Sequence, residues 1–467
     1  MGTTKSFSVF DCDAHVNDPL EIWSDYVEPE YKDLVRNTYW KDERHTVLNG
    51  RTEVLGGANY DFPIYNPICI AGPQMNKKIM RKLQQMPLTP EQKDYVEHKG
   101  AKDPHARIKE MDLMGIDQVL IIPTMIVAHF PYAENADGAY ALSRAYNNWA
   151  RDWCNEVPDR LFPAAWLPIQ SPLYTNEELE RVAQMGFPVG LMRPIDARGN
   201  YPNKIFPYGQ GMRSVTMDAT FRTLEETGLV LGMHAFPAVT SEPSDTVVSP
   251  GEFITMTGEG TGRMVDSQTM SFVFEGMTWI TQVLLSGMLD RYPKLKVAIF
   301  ECNATWLVSM LERCDRYFKL YRNERLMPSK RLPSEAFQQQ CIISFESDET
   351  PVFRQWDRYE NVGIWASDCY HHDGADSWSA IHEMEKAEVP EEIQAKLMGG
   401  NARRMYGIEP KTFISEEPPP IQRPDWFPQG EELEKWWEVE SNPRGQGAAA
   451  GSRQGINAYQ AGAPRSY

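Results

Sequence analysis

Residues 7–15 read Phe-Ser-Val-Phe-Asp-Cys-Asp-Ala-His and lie close to the start of the chain. The apolar part of this stretch predicts a buried β-strand, and the polar part predicts the residues at its carboxyl end. A doubly wound nucleotide-binding sheet usually carries a glycine-rich phosphate loop at this position. The Asp-Cys-Asp-Ala-His sequence stands there instead, so it disfavours that fold and supplies metal-ligand residue types where the loop would lie.

Eight apolar, β-branched runs follow one another along the chain, and segments with helical periodicity separate them. Continuous apolar runs, rather than strict alternation, are typical of strands that are buried on both faces. Strand–helix alternation repeated eight times predicts a single (β/α)₈ TIM barrel, a fold that accommodates chains of this length. The predicted strands are 7–13, 118–124, 162–169, 189–195, 229–236, 296–303, 341–346 and 362–368.

Two regions fall outside this alternation. Residues 18–102 are rich in Tyr, Pro, Asn and Lys, which predicts a long insertion after strand 1, a candidate lid over one barrel face. Residues 410–467 begin with a Glu-Glu-Pro-Pro-Pro run and end in a Gly-, Ala-, Gln- and Ser-rich run. That composition predicts a disordered or extended C-terminal tail, or one laid across a neighbouring subunit. We therefore assign the barrel to 1–409 and the tail to 410–467.

The composition limits the choice of partners and compartment. The net charge is −18, from 47 basic and 65 acidic residues, and an acidic surface repels nucleic acid and anionic lipid. A local basic pocket for a small anionic substrate remains compatible with that charge. No run approaches the roughly 18 apolar residues of a membrane span, and the N-terminus lacks the apolar core of a secretory signal. The seven cysteines form no CxxC pair, which is typical of reduced thiols and predicts a cytoplasmic protein.

Four residues at strand ends are candidate metal ligands. Functional side chains of a barrel gather where its strands end. Asp13 and His15 point to the same side of an extended strand because they are two residues apart. His234 ends the fifth run and Asp368 the eighth, where a hydrogen-bonded histidine and a helix cap are the structural alternatives. Strands one and eight are neighbours and strand five lies across the mouth, so joint placement favours a metal site. Four N/O ligands suit zinc, with iron or manganese as alternatives.

Further polar residues at strand ends have candidate roles. Glu301, at the end of strand six, could be a fifth ligand, a general base or a partner of a ligand. Arg193, at the end of strand four, suits a substrate carboxylate, and a structural ion pair is its alternative. His371 and His372 could transfer protons or bind substrate, although tandem loop histidines are often simply solvated. Weaker candidates are His129 and Glu346.

Seven segments in a fixed order carry a family resemblance. The chain resembles the amidohydrolase-related superfamily between residues 7 and 408, and within it the branch with aminocarboxymuconate-semialdehyde decarboxylase. The segments are Phe10-Asp-Cys-Asp-Ala-His15, Arg107-Ile-Lys-Glu-Met-Asp-Leu-Met-Gly-Ile-Asp117, Pro158-Asp-Arg-Leu161, Arg291-Tyr-Pro-Lys-Leu295, Glu301-Cys-Asn-Ala-Thr-Trp306, Ser367-Asp-Cys-Tyr-His-His-Asp-Gly374 and Asn401-Ala-Arg-Arg-Met-Tyr-Gly407.

This resemblance implies a TIM barrel, a divalent metal, hydrolysis or non-oxidative decarboxylation of a small carbonyl or carboxylate compound, and a homodimer. The family's His-x-His corresponds to Asp13-x-His15, in which a carboxylate replaces the first imidazole. The remaining ligands correspond to His234 and Asp368. Where some relatives carry a histidine after strand six, this chain has Glu301. Proton-transfer roles would fall to three residues of this set and its neighbourhood: Asp368, Glu301 and His371.

Binuclear relatives use a carbamylated lysine after strand four, and Arg193, which occupies that region, cannot play that part. Two alternatives to the hydrolase or decarboxylase remain open. A small branch of this barrel fold resembles platensimycin- and platencin-pathway monooxygenases, which activate dioxygen at two irons. The surplus of rim donors in this chain, namely Glu301, Glu346, His371 and His372, keeps a di-iron oxygenase open. The other alternative is a non-catalytic barrel that binds a ligand.

Overall fold

The computed structural model describes residues 3–43, 45–52, 70, 72–192, 212–235, 269–270, 272–324, 329–371 and 373–434. Its centre is an eight-stranded sheet in which strands follow one another in chain order. Within the described part of the chain, neighbouring barrel strands pair in parallel. The eight barrel strands are β1 Phe10–Val16, β5 Gln118–Pro123, β6 Leu161–Trp166, β7 Val189–Leu191, β8 Val230–His234, β9 Lys296–Phe300, β10 Cys341–Phe345 and β11 Gly363–Trp365. Between β1 and β5 in the sequence, three short strands form a separate sheet: β2 Tyr39–Lys41, β3 Thr46–Leu48 and β4 Arg51–Thr52.

The sheet returns to its first strand beyond the end of β11. Ala14 and Cys369 form a parallel bridge, and the His15 amide donates to the Cys369 carbonyl at 2.5 Å. One residue earlier, the Asp368 amide donates to the Asp13 carbonyl at 3.1 Å. The predicted (β/α)₈ barrel is therefore confirmed, and the contacts that join its last strand region to its first lie at the carboxyl rim.

Helices surround the barrel, and local sequence signals set several of their ends. Helix α4 begins with Pro104 after Asp103, whose carboxylate accepts from the Ala106 amide at 2.6 Å, and it stops at left-handed Gly115. The helices are α1 Lys32–Thr38, α2 Pro73–Gln85, α3 Pro90–Val96, α4 Pro104–Met114, α5 Met125–His129, α6 Ala136–Asn155, α7 Pro172–Gln184, α8 Met212–Thr227, α9 Phe272–Leu285, α10 Met288–Arg291, α11 Leu307–Tyr321, α12 Pro333–Gln340, α13 Thr350–Arg354, α14 Trp356–Tyr359, α15 Ser377–Lys386, α16 Glu391–Ala395 and α17 Asn401–Tyr406.

The barrel strands explain the continuous apolar runs of the sequence. All residues of β5, β8 and β10 are buried, because one face meets the barrel interior and the other meets the helices. Six cysteines in the described part of the chain are buried free thiols, as predicted. Among the described helices, none combines the length and apolar character that crossing a membrane requires.

The insertion between β1 and α4 contains α1–α3 and the antiparallel sheet β2–β3–β4. Its residues 53–69 and 71 lie outside the described part of the chain. Helices α2 and α3 form a second core with the C-terminal segment 411–434, and Met80 of α2 also packs against the main core. The buried members of this second core are Ile79, Leu83, Val96, Phe427 and Leu433.

The described part of the C-terminal segment, 411–434, is mostly without regular secondary structure, and it packs against its own chain. At the N-terminal residues it pairs antiparallel, with the Lys5 amide donating to Ser415 and the Glu417 amide donating to Thr3. It then reaches the insertion, where Lys78 pairs with Glu434 at 2.7 Å. The domain boundary at 409/410 stays a prediction, and residues 435–467 lie outside the described part of the chain.

Candidate metal centre

Five predicted metal-binding residues meet at the carboxyl ends of four strands. Asp13 and His15 lie in β1, and His234 ends β8. Glu301 directly follows β9, and Asp368 lies three residues after β11. Because all barrel strands are parallel, their carboxyl ends share one mouth, and residues more than 350 positions apart become neighbours.

The donor atoms of these residues lie within a few ångströms of one another. The Nε2 atom of His15 is 3.4 Å from Asp13 Oδ1 and 3.4 Å from Asp368 Oδ1. The Nε2 atom of His234 is 3.6 Å from Asp13 Oδ2 and 3.4 Å from Glu301 Oε2. All five are buried or nearly so, and they form one compact N/O donor set.

The two histidines are oriented by backbone carbonyls. His15 Nδ1 lies 3.1 Å from the Pro123 carbonyl, and His234 Nδ1 lies 2.8 Å from the Ala235 carbonyl. A carbonyl only accepts, so each Nδ1 carries the proton and each Nε2 presents its lone pair. The two Nε2 atoms are 3.3 Å apart. Two nitrogens about 2.1 Å from a shared cation lie roughly that far apart, so the spacing fits a bound metal.

Unpaired carboxylate oxygens support the same conclusion. Asp13 Oδ1 and Glu301 Oε2 are buried and accept no hydrogen bond within the described structure. Buried charged oxygens without partners are costly, since burial removes their hydration. A divalent cation would compensate both oxygens together with the lone pairs of the histidines. The residues therefore fit a divalent metal.

Backbone strain directs two of these carboxylates into the mouth. Glu301 and Asp368 both have left-handed backbones, with φ of 48° and 50°. This conformation costs on the order of 1 kcal/mol for a residue other than glycine and often marks functional sites. In both cases the strained residue follows a barrel strand, where the chain turns sharply from the strand into the next loop.

His371 lies beside the donor set, at the edge open to solvent. Its Nδ1 is 3.0 Å from Asp368 Oδ2, and its ring stacks on that of His15 with centroids 4.0 Å apart. Burial alone would lower the pKa of His371, but the charge and hydrogen bond of Asp368 outweigh it and raise the pKa to about 9. The side chain is 21% exposed. His371 can therefore exchange protons between solvent and Asp368.

Crowded carboxylates dominate the electrostatics when no cation is bound. Burial and the charges of Asp368 and Asp13 raise the pKa of Glu301 well above its usual range. Burial and then the positive charge of His371 lower the pKa of His15 well below its usual range. A bound dication reverses this balance for the carboxylates, because it favours their charged forms.

Not every predicted site residue joins the cluster. Arg193 and His372 lie outside the described residues, so their proposed substrate-binding roles stay predictions. Glu346 lines a small recess together with Asp13, Glu301 and Asp368. His129, by contrast, lies next to the hydroxyl of Tyr39 at 3.3 Å. Neither donor group found among the described residues contains it.

Two supporting carboxylates were missed at the level of sequence. Asp11 accepts from the amide and the hydroxyl of Ser367, at 3.0 and 2.5 Å, and so ties β1 to the segment before Asp368. Glu349 accepts from the amides of Ala304 and Thr305 and so holds the loop after Glu301. One feature of the sequence could have indicated Asp11, namely its two-residue spacing from Asp13. Glu349 had no such feature, because its partners are backbone amides, which are the same at every position of the sequence.

Comparison with known proteins adds an independent observation. A protein-family model described as Amidohydrolase matches residues 10–408. The chain belongs to the amidohydrolase family. This confirms the resemblance drawn from the seven sequence segments, and it places an enzyme-family signature over nearly the whole barrel. No curated protein matches this amidohydrolase-family chain.

Solved structures resemble this amidohydrolase-family chain across its barrel. An amidohydrolase from Mycobacterium avium subsp. paratuberculosis K-10 is 17% identical, with a TM-score of 0.63, covering 86% of this chain and 100% of that one. The 5-carboxyvanillate decarboxylase LigW from Sphingomonas paucimobilis is 20% identical, with a TM-score of 0.56 and the same coverage. A dihydroxybenzoic acid decarboxylase from Polaromonas sp. JS666, with bound manganese and 2-nitroresorcinol, is 15% identical, with a TM-score of 0.52, covering 86% and 97%. At these identities the likeness shows the shared fold.

Proposed function

We propose that this chain is a divalent-metal-dependent carboxy-lyase that removes CO₂ from a small hydroxylated aromatic acid. The observation that carries the proposal is the convergence of Asp13, His15 and His234, with the two imidazole Nε2 atoms 3.3 Å apart. The substrate class is supported by the decarboxylases of 5-carboxyvanillate and dihydroxybenzoate that share the fold. The second activity within this proposal is the hydrolysis of a carbonyl compound at the same centre.

The metal would be held by the five rim donors, namely Asp13, His15, His234, Glu301 and Asp368. When bound, it polarises a substrate carboxylate and an adjacent oxygen as a Lewis acid. The bound manganese in the Polaromonas enzyme supports manganese over the zinc expected from ligand type alone.

The proton that decarboxylation requires has a route in this chain. When the bond to the carboxylate carbon breaks, its electron pair stays on the ring carbon, which then takes a proton. His371 Nδ1 lies 3.0 Å from Asp368 Oδ2, and His371 reaches solvent. Two carboxyl groups of the donor set face His371, and Asp368 lies nearer to it, with Oδ1 2.8 Å from His371 Nδ1 against 3.8 Å for Glu301 Oε1. We therefore assign Asp368 the transfer of the proton to carbon and His371 its reprotonation.

The direct test is CO₂ release by manganese-loaded protein from a panel of hydroxybenzoates and methoxylated hydroxybenzoates. We expect CO₂ to form in equal amount to the decarboxylated phenol, and Asp368→Asn to abolish it while retaining the fold. Turnover of esters or amides in place of CO₂ release would assign the hydrolase instead. No turnover across both panels by metal-loaded protein would contradict the proposal.

A specific observation favours one second candidate, an O₂-activating di-iron monooxygenase. Next to the first donor group lies another, His15, Asp368 and His371, which shares His15 with it. Two irons per chain and substrate-dependent oxygen uptake would establish that reaction. A third outcome would identify a non-catalytic barrel. In that case the protein takes up no stoichiometric metal, and its ligand binds equally well after His234→Ala.

A further inference from the structure

The family segment that starts at Arg107 contributes no residue to the donor set described above. Arg107 lies in α4 and is 2% exposed. Its Nε donates to the Gly100 carbonyl at 2.8 Å, and its Nη2 donates to the His15 carbonyl. One guanidinium therefore joins the end of the insertion to the backbone of a candidate metal ligand. A planar fork with fixed N–H directions is suited to holding two carbonyls at once.

The same guanidinium also packs on Tyr370, a sequence neighbour of two residues of the site. Its central carbon lies 4.5 Å from the ring centroid of Tyr370, and His98 stacks against that ring at 4.6 Å. Tyr370 directly precedes His371 and comes two residues after Asp368. The position of the Tyr370 ring therefore influences where both site residues lie.

Glu110, one turn further along α4, fixes the Tyr370 hydroxyl. Its Oε2 accepts from that hydroxyl and, at 3.1 Å, from the Gly100 amide. The packing is tight, since a Cβ at Gly100 would lie 2.2 Å from Glu110 Oε2 and 2.5 Å from the Tyr370 oxygen. Arg107 and Glu110 thus form one buried polar unit that contacts Gly100, Tyr370 and His15.

We propose that Arg107 is a positioning residue for the metal centre, which acts by holding the His15 backbone and the Tyr370 ring in fixed places. This inference rests on the proposed function, because it requires that a metal binds there. His15 is then held from two sides, through its carbonyl by Arg107 and through Nδ1 by the Pro123 carbonyl. Such outer partners typically set metal affinity by about 10- to 100-fold.

The chain offers a matched control at the opposite end of the barrel. Arg160 is 4% exposed and also binds two carbonyls, those of Asp117 at 2.9 Å and Ile116 at 2.7 Å. It directly precedes β6 and therefore lies at the amino ends of the strands. Arg160→Lys removes a buried fork without touching the candidate metal centre.

The experiment compares full-length wild type, Arg107→Lys and Arg160→Lys after removal of metal. Manganese affinity is measured by competition with a fluorescent chelator, ligand geometry by the visible spectrum of the cobalt-loaded protein, and folding by thermal unfolding. We expect Arg107→Lys to bind manganese about 10- to 100-fold more weakly with an altered cobalt spectrum, and Arg160→Lys to stay within about twofold of wild type. Equal affinities in the two folded variants would overturn the inference.

Tyr370→Leu tests the inference if Arg107→Lys fails to fold. This variant removes the ring on which the Arg107 guanidinium packs, together with the hydroxyl that bonds to Glu110. We expect weaker manganese binding and a shifted cobalt spectrum, and an unchanged spectrum with unchanged affinity would overturn the inference. Wild-type protein that binds neither metal would instead overturn the proposed function itself, so the two failures are distinguishable.

Discussion

Nζ of Lys5 lies 2.5 Å from Oδ2 of Asp117, and both side chains are fully buried at the amino end of the barrel. Asp117 also accepts from the amides of Val9, Phe413 and Ile414, at 2.8, 2.6 and 2.9 Å. A single carboxylate therefore joins the N-terminal residues, the start of β5 and the C-terminal segment.

Removing this carboxylate should destabilise the fold while leaving the metal centre intact. We expect Asp117→Ala to lower the free energy of unfolding by about 3–5 kcal/mol, because it leaves Lys5 buried without its partner. Urea titration gives the change, and manganese affinity of the folded variant serves as the control. Lys5→Met combined with Asp117→Ala should recover part of the loss. A double variant less stable than Asp117→Ala would contradict this account.

Removing one imidazole should remove the metal. We expect His234→Ala to weaken manganese binding by about 100-fold or more, since loss of a direct ligand exceeds the loss of an outer partner. Metal content after gel filtration, measured by elemental analysis, checks this. His382→Ala is the control, because His382 is 38% exposed and pairs with Thr3 and Glu417. Equal metal content in the two variants would contradict the assignment of His234 as a metal ligand.

His129 should make the protein sensitive to acid. Burial, followed by the charge of Lys41, lowers its pKa to about 4. Between pH 6.5 and pH 4 the unfolded chain binds a proton that the folded chain does not, so stability falls as pH falls through this window. The contribution is about 3 kcal/mol.

Denaturant titrations of wild type and His129→Gln from pH 7 to pH 4 test this sign. The variant should lose less stability on acidification than wild type, by about that amount. Identical pH profiles would show that His129 does not carry the effect.

The C-terminal segment should be required for the second core. Phe427 and Leu433 pack on α2 and α3, and burying two such side chains stabilises this core by about 3–6 kcal/mol. We expect a chain ending at residue 410 to be cleaved faster within α2 by a protease and to bind more hydrophobic dye. A chain ending at residue 434 should behave like the full chain. Equal cleavage of both truncated chains would show that the contacts do not stabilise α2.

Much of the site was predictable because the parallel strands of a barrel are neighbours in space in the same order as in the sequence. The apolar runs indicated the barrel, and a barrel places the ends of all its strands at one mouth. Asp13, His15, His234, Glu301 and Asp368 could therefore be grouped without knowing any contact between them. Strand ends were less accurate, since β1 extends to Val16 rather than stopping at Asp13. Its register with β5 shifts between Asp11 and Ala14, and the hydrophobic periodicity of the sequence does not predict this irregularity.

By itself, then, the sequence determined the barrel, the mouth and the residue types that meet there. Only the tertiary structure decided which atoms of those residues face the centre. The carbonyls of Pro123 and Ala235 orient the two imidazoles, and Arg107 holds His15 through another carbonyl. The physical reason is that burial leaves a periodic pattern of side chains in the sequence, whereas backbone carbonyls are the same at every position and become specific partners only where the fold places them.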